Sequence, residues 1–338
     1  MSAPPPIPAR ESPPPSAQST LAKLWWAARN PPADPRVSFA GKTVLVTGAN
    51  TGLGFQAAVK YAALHASRVL LAVRCADKGE AAKADIVRLA RCSADTVRVL
   101  PVDLSSFESV QAFVPALRRE TDHLDVVLLN AGMANPTFVR SPAGYEMALQ
   151  VNVLSTALMA VLLLPLLRAA PAPAHLTFVN SIAHADVQPD WCRGSLLQSC
   201  NDEAAWNVQR SYGMVKLLAM AVMHALARTA PADRLIVNAC CPYMCKTDLG
   251  RNWGLAAKIP MAAFQAVFAR TAEQGARTLV SATALGPESH GRFWHHDILY
   301  PLGDLAKDDE FMQKCWSEVL HVITTVQPDL HDHLGNKA

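Results

Sequence analysis

"KTVLVTGANTGLG", residues 42–54, sets a β-branched run directly ahead of three glycines. The run KTVLVT (42–47) shows no polar alternation, so it reads as a strand covered on both faces, as in a parallel sheet. Gly48, Gly52 and Gly54 follow in a G-x-x-x-G-x-G spacing and open a helical stretch at 53–65. Glycines in that place let the chain turn tightly, approach a pyrophosphate and pack helix on strand. The amides and dipole of the next helix then hold the phosphates, with Asn50, Thr51 and Leu53 completing the expected contacts of the loop.

Outward from this unit the rhythm repeats. RVLLAV (68–73), TVRVLPV (96–102), LDVVLL (124–129), HLTFVN (175–180) and RLIVNAC (234–240) are further apolar strand-like runs, with helical stretches at 76–91 and 106–120. The βαβαβ order implies a single-domain α/β fold, a doubly wound parallel sheet with right-handed crossovers. Ligands of such sheets bind beyond the carboxyl ends of the strands, so the residue after each strand is the place to look.

After the second strand stands Arg74, where a protein that binds NAD usually presents an acid to the ribose hydroxyls. A guanidinium suits a 2′-phosphate instead, and Lys78 adds charge one turn later, so the expected cofactor is NADP(H). After the third comes Asp103, either an acceptor for an adenine amino group or an ordinary helix N-cap. Asn130, with Ala131 and Gly132, follows the fourth and leaves room for a flat cofactor. Ser181 follows the fifth. Thr247 and Cys245 follow the sixth, Thr247 facing the carboxamide or phosphates.

SYGMVK (211–216) places Tyr212 and Lys216 one helical turn apart on an otherwise oily stretch. Alone, the pair reads equally as a core aromatic and a snorkelling stem. With Ser181 and Asn152 converging on the same sheet edge, it describes hydride transfer between a carbonyl and an alcohol. Lys216 and an oxidised nicotinamide are expected to pull the Tyr212 phenol below its free pKa, making it the general acid/base. Ser181 would stabilise the charge developing on the substrate oxygen. Asn152, mid-helix, would hold a water leading from Lys216 to solvent.

Composition narrows the class. The chain has 338 residues, ample for one large domain, and a formal charge of +3, too slight to suggest a nucleic-acid partner. The eight cysteines include no C-x-x-C, and CCPYMC (Cys240, Cys241, Cys245) lacks zinc spacing, so buried reduced thiols, no metal and a cytoplasmic location are expected. Ten of the 24 prolines precede residue 36, which marks 1–38 as a disordered or polyproline-like leader without an apolar signal core. Within it, LAKLWWAARN reads either as an interfacial helix or as a helix packing Trp25 and Trp26 onto the domain. The run 153–167 is too short to span a bilayer and contains Pro165, so it reads as a buried helix, and no stable membrane insertion is expected.

Over roughly residues 40 to 325 the chain resembles the short-chain dehydrogenase/reductase family, through TGANTGLG, NAG, Val151–Asn152, NSIAH and YGMVK in that order. The resemblance implies a Rossmann fold, an Asn152–Ser181–Tyr212–Lys216 tetrad and a small-molecule carbonyl or alcohol substrate. AVRCADKGEAA is similar to the subgroup that takes NADP(H) through an arginine. VSFAGKTVLVTGANTGLG and RTAEQGARTLVSATALGPESHGRFW look most like filamentous-fungal members, many of which serve secondary metabolism. Tyr243 departs from the glycine common there and is expected to narrow the nicotinamide pocket. The domain is expected to run from 39 to 330, with a tail at 331–338. It includes a substrate flap at 183–206, with His184, Trp191 and Trp206 as contacts, and a lid at 249–268. Trp253, Met261 and Phe264 on the lid argue for a hydrophobic substrate. Helices 145–168 and 205–228 resemble those that pair in family homodimers. Three rivals stand beside this reading: a nucleotide-sugar epimerase or dehydratase, which would carry a different glycine spacing, a non-catalytic NADP-binding regulator on the same scaffold, and a structural partner protein whose proline-rich leader docks SH3- or WW-like modules.

Overall fold

The computed structural model describes residues 19–192, 194–247 and 253–335, and all side chains among them except those of 255–258. All six expected strands form: β1 (Thr43–Thr47), β2 (Arg68–Val73), β3 (Val97–Pro101), β4 (Val126–Leu129), β5 (Ala174–Val179) and β6 (Leu235–Cys241). Two more, β7 (Phe293–His295) and β8 (Ile298–Tyr300), are too short to stand out in the sequence. The sheet order is β3-β2-β1-β4-β5-β6-β7-β8, parallel throughout until the antiparallel β8. The order reverses between β1 and β4, which opens a crevice at their carboxyl ends.

Apolar strands with no alternation demand cover on both sides. Helices α2 (Gly52–Ala63), α3 (Ala76–Ala90) and α10 (Ala272–Ala282) supply it on one face. On the other lie α4 (Phe107–Glu120), α6 (Ser155–Arg168), α8 (Val208–Ala227) and α12 (Asp309–Val326). Their starts are set by local caps: Ser106 Oγ accepts from Ser109 N, Asn207 Oδ1 from Gln209 N and Arg210 N, and Thr271 forms a capping box with Gln274. The short α5 (Met147–Leu149) runs through a π-helical turn, Gln150–Leu154, into α6. Minor helices are α7 (Leu196–Asn201) in the flap, α11 (Asp304–Lys307) and α13 (Leu330–Leu334).

The domain is larger than expected at both ends. Of the leader, residues 1–18 lie outside the described residues, but 19–38 are ordered against the core rather than disordered. They form α1 (Thr20–Arg29), with Leu24 and Ala27 buried, and then a segment that buries Val37. Prolines alone mislead here because apolar side chains interleave with them. Trp26 packs edge-on against His296, while Trp25 stays exposed and meets Phe268 of α9 (Leu255–Phe268) at 6.1 Å. At the other end, Leu330 and Leu334 are buried, so the tail to 335 is not detached.

The expected dimer surface is likewise taken. In α6 every residue but Pro165 and Arg168 is buried, and α8 is nearly as enclosed. The chain's own α12 and α13 pack on them, and Arg168 donates to the His333 carbonyl. Much of residues 145–168 and 205–228 is therefore covered within the chain itself. The run Met147–Arg168 is longer than the sequence reading of 153–167; it is long and apolar enough to cross a membrane and lies buried in the core.

Candidate active site

The glycine loop is built for close approach. Gly48 and Gly52 have φ of 65° and 57°, and a Cβ on Gly54 would overlap Asn130 Nδ2 and the Gly48 carbonyl. Asn130 works from behind: its Nδ2 donates to Thr47 O at 2.9 Å and Gly48 O at 3.4 Å. Thr47 Oγ1 accepts from Ala131 N, so the ends of β1 and β4 are tied together. Asn50 and Thr51 line a cleft of about 360 Å³ with Phe55, Lys78 and Asp85, while Thr247 packs on the other side of the loop, 3.8 Å from where a Gly52 Cβ would stand. Leu53 packs behind the loop near Gly275 and Cys245.

Arg74 is exposed immediately after β2, and Lys78 lies in the first turn of α3 facing the cleft. Asp103 Oδ1 accepts from both Ser105 N and Ser105 Oγ, an Asx turn; the N-cap of α4 is Ser106. Cys245 is buried with its thiol against the Pro242 carbonyl and the Gly275 backbone, so only its main chain can serve a ligand. These residues fit an extended nucleotide: backbone access at the loop, a free helix N-terminus, and cations at the β2 end.

The carbonyl end lies across the crevice. Ser181 caps a 3₁₀ turn, Ile182–Asp186, with its Oγ accepting from Ala183 N at 3.2 Å, and it is close enough to the Tyr212 phenol to lower its pKa. Lys216 is buried on α8, with Nζ 3.0 Å from the Val179 carbonyl and 5.7 Å from the centre of the Tyr212 ring. Asn152 sits in the π-helical turn, a geometry frequent at functional sites. Its side chain clamps Met133 through both backbone groups, each at 2.9 Å, so the amide is committed to the segment after β4 rather than to a water. Sequence reasoning gave Met133 no part, and no motif marks it.

Within the chain itself, Lys216 does not bring the Tyr212 phenol down. Burial, reinforced by Cys241, pushes the Tyr212 phenol up to about 12, against a lowering by Ser181. Burial also brings Lys216 down to about 8. Desolvation thus outweighs the single neighbouring ammonium, and bringing the phenol into the working range requires positive charge beyond Lys216.

Of the flap residues, His184 is structural: Nδ1 donates to the Ser181 carbonyl at 2.7 Å, and the ring meets Phe293 edge-on. Trp191 packs on the core under Arg210. Among the described flap residues, Trp206 alone keeps a buried side-chain polar atom, Nε1, without a partner. Part of the lid, 249–252, lies outside the described residues; α9 turns Phe268 toward α1 and leaves Met261 exposed. The eight cysteines are free thiols, Cys240, Cys241 and Cys245 among the buried ones.

The family model described as short chain dehydrogenase matches residues 42–192. The chain is 42% identical over 331 residues to the short-chain dehydrogenase/reductase ffsI of Aspergillus flavipes, covering 95% of this chain and 97% of that one. It belongs to the short-chain dehydrogenase/reductase family. A second family member, phmF of Phaeosphaeria nodorum, is 41% identical over 93% of this chain and 96% of its own. Among solved structures, the L-sorbose reductase of Gluconobacter frateurii, complexed with NADPH and L-sorbose, superposes with a TM-score of 0.61 at 18% identity, over 77% of this chain and 97% of that one. At such identity the likeness speaks for the Rossmann fold alone. Short-chain dehydrogenase/reductase membership makes the protein an oxidoreductase that uses a nicotinamide cofactor, NAD or NADP, on a CH–OH or carbonyl group of a small molecule.

Proposed function

We propose that this family member is an NADP(H)-dependent reductase or dehydrogenase acting on a carbonyl, or a primary or secondary alcohol, of a small hydrophobic substrate. The observation that carries it is the Ser181–Tyr212 pair, brought together from the end of β5 and from α8, with Lys216 one turn on and the glycine loop across the crevice. The bound cofactor supplies or accepts the hydride. Tyr212 then gives its proton to the forming alkoxide, or takes one from an alcohol, while Ser181 Oγ donates to the same oxygen. Lys216 is charged below pH 8 and supports the developing phenolate. Asn152 acts as a positioning residue that fixes the backbone at Met133.

The NADP(H) preference is supported by Arg74 and Lys78, with no acid at the end of β2. A fungal secondary-metabolism role is supported by the fungal sources of the relatives, and a cytoplasmic location by the free thiols. A hydrophobic substrate is supported by the half-buried lid side chains Trp253 and Phe264.

The test is oxidation of NADPH and NADH over a panel of ketones, with Tyr212→Phe and Arg74→Asp beside the wild type. Tyr212→Phe keeps the ring and is expected to lose about 10²–10⁴-fold in kcat while still binding cofactor. Arg74→Asp is expected to reduce or reverse the preference for NADPH. Wild-type turnover retained in Tyr212→Phe would end the catalytic reading; cofactor binding without turnover in the wild type would favour a regulatory protein on the same scaffold.

A further inference from the structure

Five described residues other than glycine hold positive φ: His65, Arg91, Tyr243, His296 and Asp297. His65 and Arg91 follow the ends of α2 and α3, where a left-handed residue is an ordinary way to stop a helix. Tyr243 (66°), His296 (53°) and Asp297 (60°) end no helix, yet they gather at the carboxyl edge of the sheet. His296 and Asp297 turn the β7–β8 hairpin, at two positions that usually fall to asparagine and glycine. Bulky residues persist in this conformation where the surroundings over-determine them, and such places cluster at functional sites.

The surroundings of Tyr243 are explicit. Its ring meets His295 at 5.4 Å and His296 at 5.0 Å, and Tyr300 stands edge-on to His295. Arg270, fully buried, donates to the Pro242 carbonyl at 3.3 Å and pairs with His296 Nδ1 at 3.0 Å, gripping the chain before Tyr243 and the ring beneath it. The same guanidinium donates to Ala27 O and Asn30 O at the end of α1, and Asp297 accepts from Ala33 N. The N-terminal helix therefore locks the hairpin. On the inner side, Tyr243 N donates to Cys241 Sγ at 3.3 Å, and β5 pairs with β6 so that Val179 lies opposite Cys240 and Asn180 N donates to Cys240 O; the chains leading to Ser181 and to Tyr243 leave the sheet side by side. The half-buried ring thus lies at the exit of β6, beside the β5 exit that carries Ser181, and rests against a hairpin faced with aromatic rings.

We propose that Tyr243 is a specificity-determining residue, whose clamped ring forms one wall of the carbonyl pocket and selects flat, unsaturated ketones over bulky saturated ones. The proposal rests on the carbonyl reading of Ser181 and Tyr212. Glycine would hold this backbone without strain; what tyrosine adds is a polarisable face on which a planar π system stacks. Tyr243→Gly should consequently release strain and lose selection, a combination that a merely structural tyrosine would not give.

The experiment compares wild type, Tyr243→Gly and Tyr243→Phe on acetonaphthone and adamantanone, reading the ratio of the two kcat/KM values together with Tm. Wild type is expected to favour the flat ketone at least about tenfold, Phe to keep that ratio, and Gly to lose about tenfold of it without a lower Tm. An unchanged ratio in Tyr243→Gly, or a wild-type ratio near one, overturns the proposal. The same ketones are titrated by tryptophan fluorescence against NADP-loaded Tyr212→Phe with and without Tyr243→Gly. A shifted Kd ratio there supports the wall whatever Tyr212 does, whereas full turnover by Tyr212→Phe alone sinks the catalytic reading and not the wall.

Discussion

At the scale of single residues, Lys216 shows how the site costs stability. Its pKa is lowered from 10.5 to about 8 by burial, so between those values the unfolded chain binds more protons than the native one. Stability from this group is then present above 10.5 and lost as pH falls through 8, a penalty on the order of 3 kcal/mol at neutral pH. Lys216→Met removes the titration but also the bond to Val179 O, which adds a constant offset. The stability of Lys216→Met relative to wild type is therefore expected to decline as pH rises from 8 to 10.5, measured by denaturant titration across that range. A difference that stays flat with pH would mean that Lys216 is not buried as an ammonium. The place of Lys216 one turn from Tyr212 was legible in the Y-x-x-x-K spacing; its depressed pKa was not, because desolvation depends on what packs around α8.

At the scale of elements, the strand–loop–helix unit around residue 48 behaves as its sequence says, for reasons that are local. Gly54 is the position where a side chain has nowhere to go, since Asn130 Nδ2 and the Gly48 carbonyl occupy the space and hold each other. Gly54→Ala is expected to weaken NADPH binding at least about tenfold and to destabilise the fold by roughly 1–3 kcal/mol, read by fluorescence titration and thermal unfolding. Wild-type affinity in that variant would show that the loop can shift without consequence. Asn130, read from the sequence as a cofactor contact, turns out to brace this loop, and the same NAG segment meets Asn152 through Met133. Those pairings join residues far apart in the chain, so no local pattern announces them.

At the scale of the whole molecule, the C-terminal helices cover the surface that the sequence offers for association. α12 and α13 cover α6 and α8, whose apolar composition by itself suggests a dimer surface. Removing residues 304–338 uncovers both helices and is expected to produce more self-association or insolubility than the full chain shows at the same concentration, seen as a shift in sedimentation with loss of Tm. Unchanged sedimentation and melting after the deletion would show the cover to be dispensable. The N-terminal helix has a matching role at the opposite end, where Arg270 ties α1 to the hairpin beside the site.

The sequence by itself determined the six parallel strands, the glycine loop, the cation after β2 and the Ser181–Tyr212–Lys216 group. These rest on periodicity and on residue chemistry at fixed offsets, which short stretches encode completely. Only the tertiary structure decided that the leader folds back from residue 19, that two three-residue strands extend the sheet, and that a buried arginine with no motif around it connects α1, Pro242 and His296. It also decided that His184 supports Ser181 from behind and that burial raises the Tyr212 phenol. The physical reason is the same in each case: burial, desolvation and hydrogen bonds between distant residues are properties of what the rest of the chain brings alongside, and a linear pattern carries no distance information.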